Sequence, residues 1–199
     1  PRDAGALALG AEATARALQS SAGAGIRIRR IGSRGLYWLE PLVEVECAAG
    51  RIAYGPVTAS DVPALLRAGL LEGGAHPLRI GPIGQHPWLA SQQRLTFARV
   101  GDFDPLDLDA YEASGGYRGL RRALEIGPAA AVKEVLDSGL RGRGGAAFPT
   151  GIKWQTVLDQ PPGQRYITCN ADEGDSGTFS DRMLMEGDPY CLIEGMTIA

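Results

Sequence analysis

Only three cysteines occur among 199 residues, and no two form a C-x-x-C pair. Cys47, Cys169 and Cys191 are too few and too scattered for a disulfide framework, or for a zinc or iron–sulfur site built from this chain alone. They read as small buried hydrophobes in a reducing compartment. Positive charge is not in excess either. A formal net charge of −3 offers no basic field to nucleic acid and no polybasic patch to a membrane surface. No apolar run nears the ~20 residues of a bilayer-spanning helix. The opening Pro1-Arg2-Asp3 leads into an alanine-rich stretch without the basic segment and cleavage pattern of a secretion signal, so the expected location is cytoplasmic. His76 and His86 have no neighbours that would complete a metal set. Phosphate-loop and G-x-G-x-x-G patterns are missing, as is any nucleophile–base constellation. With 44% hydrophobic and 22% charged residues, what remains is an ordinary globular chain.

The pattern along the chain is α/β. Asp3 is placed to cap a helix carrying Leu7, Ala11, Ala15 and Leu18 on one face. Ile26-Arg27-Ile28-Arg29 alternates as a half-buried strand would. Val43, Val45 and Cys47 alternate with Glu44 and Glu46 as a second strand. A turn at Ala48-Ala49-Gly50-Arg51 leads from it into Ile52-Ala53-Tyr54. Ser60 and Asp61 open a helix through Leu65, Leu66 and Leu70. This order suits a small thioredoxin-like domain over residues 1–72. Residues 73–104, rich in Gly, Pro, His and Gln, read as a surface linker in which only Leu95-Thr96-Phe97-Ala98 looks extended. A second domain is expected over 105–199. Gly127-Pro128 starts a helix there and Gly139 ends it, with Val132, Val135 and Leu136 inward. Tyr166-Ile167-Thr168-Cys169 reads as a short buried strand. Asp188-Pro189 opens a last helix with Leu192, Ile193 and Met196 on one face. No stop signal follows, so a chain truncated from a longer protein is expected.

Two loops carry the chemistry. Gly142-Arg143-Gly144-Gly145 puts three glycines in four positions, so several backbone N–H groups can converge on one point. Such a nest ahead of a helix suits a phosphate. Arg143 and Lys153 add positive charge, and Phe148 offers a flat face for stacking on a planar ring. A plain glycine-rich surface turn is the competing reading. The second loop, Asn170-Ala171-Asp172-Glu173-Gly174-Asp175-Ser176-Gly177, is acidic. Its amide and carboxylates can accept hydrogen bonds from ribose hydroxyls, a carboxamide or the N–H edge of a flavin. A calcium loop competes, but the twelve-residue spacing and closing Glu are missing. A solvated acidic turn is the third possibility. A phosphate cradle paired with a ring-recognising acidic edge suits flavin mononucleotide.

The run Gly139-Leu140-Arg141-Gly142-Arg143-Gly144-Gly145-Ala146-Ala147-Phe148-Pro149-Thr150-Gly151-Ile152-Lys153-Trp154 resembles the flavin-loop signature of the NADH-oxidising subunit of respiratory complex I and its soluble relatives. Cys169-Asn170-Ala171-Asp172-Glu173-Gly174-Asp175-Ser176-Gly177-Thr178-Phe179-Ser180-Asp181-Arg182 resembles that family's second signature. The resemblance spans residues 115–199. It implies a Rossmann-like FMN-binding domain, of which this chain holds the first part. It further implies that Gly142, Arg143, Gly144, Gly145 and Lys153 hold the phosphate and ribityl chain, and that Asn170, Asp172, Glu173 and Gly174 line the flavin. Phe148, Glu173 and Asp175 would contact NAD, Phe148 through the adenine and Asp175 at the nicotinamide end. Thr156 stands where a second stacking aromatic is common. The implied chemistry is carried by FMN, with no catalytic side chain and no metal in this segment.

Finer details are similar to the β subunit of soluble molybdenum-dependent formate dehydrogenases: Gly174-Asp175-Ser176-Gly177, the run Ile152 to Val157, and the fused N-terminal domain. In related proteins that domain holds a [2Fe-2S] cluster. Here Ser33 and Tyr37 stand at two cysteine positions, and Pro1 and Ala6 at the others, so no [2Fe-2S] cluster is expected and the domain should serve as a docking surface. The resemblance implies [4Fe-4S] ligands in a C-terminal continuation. The implied partners are NAD(H), an iron–sulfur γ-type subunit with a thioredoxin-like [2Fe-2S] domain, and a molybdenum-containing α subunit. The equivalent subunit of an NAD-reducing hydrogenase or of complex I would need the same loops. A non-catalytic docking fragment would not need flavin at all.

Overall fold

The computed structural model describes residues 1–23 and 25–199. It divides into two compact units, one of Pro1–Ala110 with Glu173–Pro189 and one of Tyr111–Asp172 with Tyr190–Ala199. The described architecture is mixed helix with a small three-stranded sheet, in keeping with the α/β expectation.

In the first unit Asp3 caps α1 (Ala4–Ala8), its carboxylate accepting from the Ala6 amide at 3.2 Å. The single helix expected here is two. Gly10 adopts φ 95° and breaks the run before α2 (Ala11–Ser21), a left-handed conformation that glycine enters without a Cβ penalty. The expected hairpin is present: β1 (Val43–Cys47) pairs antiparallel with β2 (Gly50–Tyr54), with Val45 opposite Ile52. Ile26 to Arg30 keeps its alternation of burial but joins no ladder. Periodicity reports which side chains face inward, and backbone pairing is a separate matter.

Residues 73–104 do more than connect. Arg79–Pro82 forms β3, which completes the antiparallel order β1-β2-β3. A four-residue strand containing Gly81 and Pro82 gives no alternation to read. Leu95 to Ala98, expected to be extended, lies in turns.

One face of the sheet packs on α3 (Val62–Arg67). Ile52, Tyr54, Val57, Val62, Leu65 and Leu70 form its core, each such side chain contributing roughly 1.5–3 kcal/mol. Thr14 of α2 donates from Oγ1 to the Val57 carbonyl at 2.9 Å, and the Tyr54 hydroxyl reaches the Gly74 carbonyl at 2.7 Å. Arg34 and Glu44, both nearly buried, pair at 2.6 Å, and Arg34 also reaches the Gly101 carbonyl at 2.8 Å. A short helix, α4 (Pro87–Ala90), precedes the turns. The unit also holds α9 (Ser180–Gly187). Asp188 follows α9, is buried, and pairs with Arg99 at 2.8 Å.

The second unit is helical: the end of α5 (Leu108–Ala113), α6 (Arg118–Ile126), α7 (Pro128–Asp137), α8 (Thr150–Leu158) and α10 (Pro189–Ile198). The Pro start and Gly139 stop of α7 are as read from sequence. Its stripe is narrower than expected: Val132 is buried and Val135 half-buried, but Leu136 is exposed. In α10 the buried residue is Glu194, while Ile193 is exposed. Its carboxylate accepts from the Tyr111 hydroxyl, from the Tyr117 amide at 2.6 Å and from the Leu120 amide at 3.0 Å, so it caps α6 from a distant helix. Burial alone would raise its pKa, but the Tyr111 hydroxyl and the α6 amides outweigh burial and hold it below the ordinary value. A lone Glu on an apolar helix face gave no sign of this.

The strand expected at Tyr166–Cys169 is absent. Tyr166, Ile167 and Cys169 are exposed, and Cys47 and Cys191 are half-buried, so the cysteines are not the buried hydrophobes expected. An isolated strand has no ladder to stabilise it. Among the described residues of this unit the one β pairing is the bridge Arg141–Pro149.

Candidate functional site

That bridge closes the glycine-rich loop at its base. The Gly142 amide donates to the Phe148 carbonyl and the Thr150 amide to the Leu140 carbonyl, both at 2.9 Å. Two cations brace the loop from inside: Arg141 Nη1 donates to the Ala147 carbonyl at 2.9 Å, and Arg143 Nη1 to the Arg141 carbonyl at 2.6 Å. Each guanidinium keeps further donors of its fork. Residues 141–148 are all exposed. Gly145 takes φ 95° and Ala147 φ 51°, so the tip turns through two left-handed residues and its amides need not alternate in direction.

The glycines themselves test the fit to a phosphate. A Cβ on Gly142 would come no closer than 3.6 Å to the Phe148 carbonyl, and one on Gly144 or Gly145 would meet nothing within 4 Å. Gly144 does not adopt a left-handed φ. Neither internal packing nor backbone strain therefore calls for glycine there. What its missing side chain preserves is room beside the chain. Directly after the loop begins α8, whose N-terminus follows Pro149 and has no side-chain cap. The Thr150 amide is given to Leu140, the next amides lack intrahelical acceptors, and the dipole favours an anion. Lys153 lies exposed in the first turns of this helix, Thr156 lies exposed beyond it, and Phe148 is 50% exposed at the loop's exit. Open amides, a free helix terminus and three nearby cations fit a phosphate monoester.

Of the second loop, Asn170 and Asp172 lie in the same unit and form a turn, the Asn170 Oδ1 accepting from the Asp172 amide at 3.0 Å. Glu173, Gly174 and Asp175 lie in the first unit. Glu173 is fully engaged. Its Oε1 accepts from the Ser180 amide at 2.5 Å, the Ser180 hydroxyl at 2.9 Å and the Asp181 amide at 3.1 Å, and its Oε2 from the Arg182 amide at 3.3 Å. The carboxylate caps α9 across the loop. Burial would raise its pKa, but the Asp181 amide, the Ser180 hydroxyl and the remaining amides together hold it low. Gly174 is exposed with open space about its Cα, and Asp175 is exposed, its carbonyl accepting from Thr178 N at 3.3 Å and Oγ1 at 3.0 Å. The engagement of Glu173 escaped the sequence reading. An acidic residue several positions before Ser180 was the available signal. Among the described residues no group of His, Cys, Asp and Glu is arranged to hold a metal ion, and no helix is long and apolar enough to cross a membrane.

Comparison with known proteins bears on the same segment. Residues 135–199 match the family model described as the Nuo51 FMN-binding domain. Over 93 residues the chain is 55% identical to an NADH-quinone oxidoreductase subunit of Rhizobium meliloti (strain 1021), covering 46% of this chain and 22% of that protein. Over 107 residues it is 50% identical to the NADP-reducing hydrogenase subunit HndC of Solidesulfovibrio fructosivorans, covering 54% and 22%. The corresponding NADH-quinone oxidoreductase subunit of Escherichia coli (strain K12) is 47% identical over 107 residues, 53% of this chain and 24% of its own length. The chain thus spans under a quarter of the length of these relatives. These likenesses support the complex I 51 kDa-type family for the matched residues, and FMN with a nicotinamide dinucleotide as cofactors.

Proposed function

We propose, from the kinship of residues 135–199 with the complex I 51 kDa-type subunits, that this chain supplies FMN- and NAD(H)-binding residues to a diaphorase module. FMN, when bound, exchanges hydride with the nicotinamide and electrons singly with iron–sulfur clusters; the residues bind and orient. Gly142, Gly144 and Gly145 admit the phosphate to the backbone amides, and Arg143 and Lys153 neutralise it. Asn170, Asp172 and Gly174 address the ring. Glu173 shapes that edge through its cap on α9 rather than by a free carboxylate. Phe148 stacks on the adenine, and Asp175 orients the nicotinamide end. The supporting observation is the glycine at 144, which the fold itself does not require.

The finer assignment is the β subunit of an NAD-dependent molybdenum formate dehydrogenase, carrying electrons from formate to NAD⁺. Its support is the Gly174-Asp175-Ser176-Gly177 sequence and the residues Ser33 and Tyr37 at positions where the resemblance implies cysteines. Ser33 is buried and donates to Glu40 Oε1 at 2.8 Å, while Tyr37 is engaged by Phe179 at 5.6 Å between ring centroids. Both positions are thus occupied by protein contacts. The N-terminal domain serves as a docking surface for a cluster-bearing γ-type subunit, and the α subunit carries the molybdenum.

The intact complex tests this directly. It should show the yellow flavin band, NADH should bleach that band under anaerobic conditions, and formate should bleach it too in a preparation containing molybdenum. Bleaching by hydrogen and not by formate would move the assignment to a hydrogenase. A preparation without flavin would end it.

A further inference from the structure

The start of α9 is held in an unusual way. Phe179, immediately before it, is a bulky residue with φ 57° and ψ 13°. Left-handed backbone is unfavourable for a non-glycine residue and persists only where its surroundings fix it. Here the surroundings are Tyr37 and Arg182. The Tyr37 ring meets the Phe179 ring edge-on, centroids 5.6 Å apart and planes at 72°. The Arg182 guanidinium lies 4.7 Å from the Phe179 centroid and 5.9 Å from that of Tyr37. The stacked cation and the ring edge together hold the strained backbone in place. The same helix is set close against the segment that carries Tyr37: a Cβ on Gly32 would stand 2.7 Å from the Gly187 Cα, and one on Gly35 3.2 Å from the Met183 sulfur.

We infer that Tyr37 and Arg182 are positioning residues for nicotinamide dinucleotide binding. By fixing Phe179 they fix the α9 amides that Glu173 caps, and so the closed course of residues 173–180 that presents Asp175. This rests on the proposed reading of Asp175. It gives Tyr37, at a position where related domains use a cluster ligand, a task of its own. The glycine loop is closed by its own hydrogen bonds between residues 140 and 150, so the hold on the FMN phosphate does not pass through this contact.

Tyr37→Ala in the intact complex tests it. The expected result is FMN content within about twofold of the parent, held by the phosphate loop, a KM for NAD(H) raised about tenfold, and kcat within about twofold of the parent. Amide exchange over residues 173–182 should be faster without any nucleotide. Tyr37→Phe, which keeps the ring edge and loses the hydroxyl, should raise KM by about threefold or less. If Tyr37→Ala does not accumulate, Arg182→Lys decides, with the same expected split between KM and kcat. Unchanged KM and unchanged exchange in a flavin-loaded variant overturn the inference, as does a loss of stability with KM unaltered. Parent complex without flavin would sink the underlying reading as well, and would be seen before any substitution is made.

Discussion

Gly144→Val in the full-length protein should leave the fold untouched and strip the flavin. The substitution is conformationally permitted: the position has no left-handed φ, and an added Cβ has no protein atom within 4 Å. Its cost to stability is therefore within about 0.5 kcal/mol, the range of ordinary surface changes. The bulk instead enters the space beside the backbone amides, where a phosphate must approach closely to accept their hydrogen bonds. FMN content in the purified complex should fall below about a tenth of the parent value, a loss of at least ~1.4 kcal/mol in binding. Thermal unfolding of the apo protein should be unchanged. A variant that keeps its flavin would show that the glycine is there for some other reason. A variant that unfolds would show that the loop packs in a way the structure does not have.

Gly151→Val, seven positions later, should do the opposite and break the fold first. Its Cβ would lie 2.4 Å from the Leu136 Cα and 2.6 Å from the Leu136 nitrogen. These are backbone atoms of a neighbouring helix and have no side-chain freedom to yield. Only a shift of α8 away from α7 relieves the clash, and overpacking of this kind costs ~1–3 kcal/mol. In a small unit that lowers Tm by about 5–10 °C or more, measurable by calorimetry on apo protein. Flavin would be lost as a consequence, because α8 carries Lys153 and the free helix terminus. An unchanged Tm would refute the close α7–α8 approach. The two variants together separate a glycine kept for a ligand from one kept for packing.

Much of this was legible in the sequence, for identifiable reasons. Asp3 as a cap, the Val43–Tyr54 hairpin and the Pro128 start of α7 are local signals, complete within a few residues. The glycine loop was legible as well, since three glycines in four positions free the backbone and leave room beside it whatever lies around them. What escaped depends on distant partners. β3 becomes a strand because β2 offers it an edge. Tyr166 to Cys169 has a strand-forming sequence, but among the described residues of its unit it has no strand to pair with. Glu194 takes its role from distant partners, Tyr111, Tyr117 and Leu120, and no local signal marks it. Glu173 was read as a free ligand group. Its engagement became visible only when the chain folded Ser180 and Arg182 back upon it.

The central claim is that the glycine loop binds the phosphate of the flavin, and comparing FMN with riboflavin isolates that group. Both should be titrated against flavin-depleted intact complex, at equal ionic strength. FMN should bind at least about 100-fold more tightly, since charge-assisted bonds from amides, Arg143 and Lys153 have nothing to hold in riboflavin. Equal affinity for the two would contradict the claim.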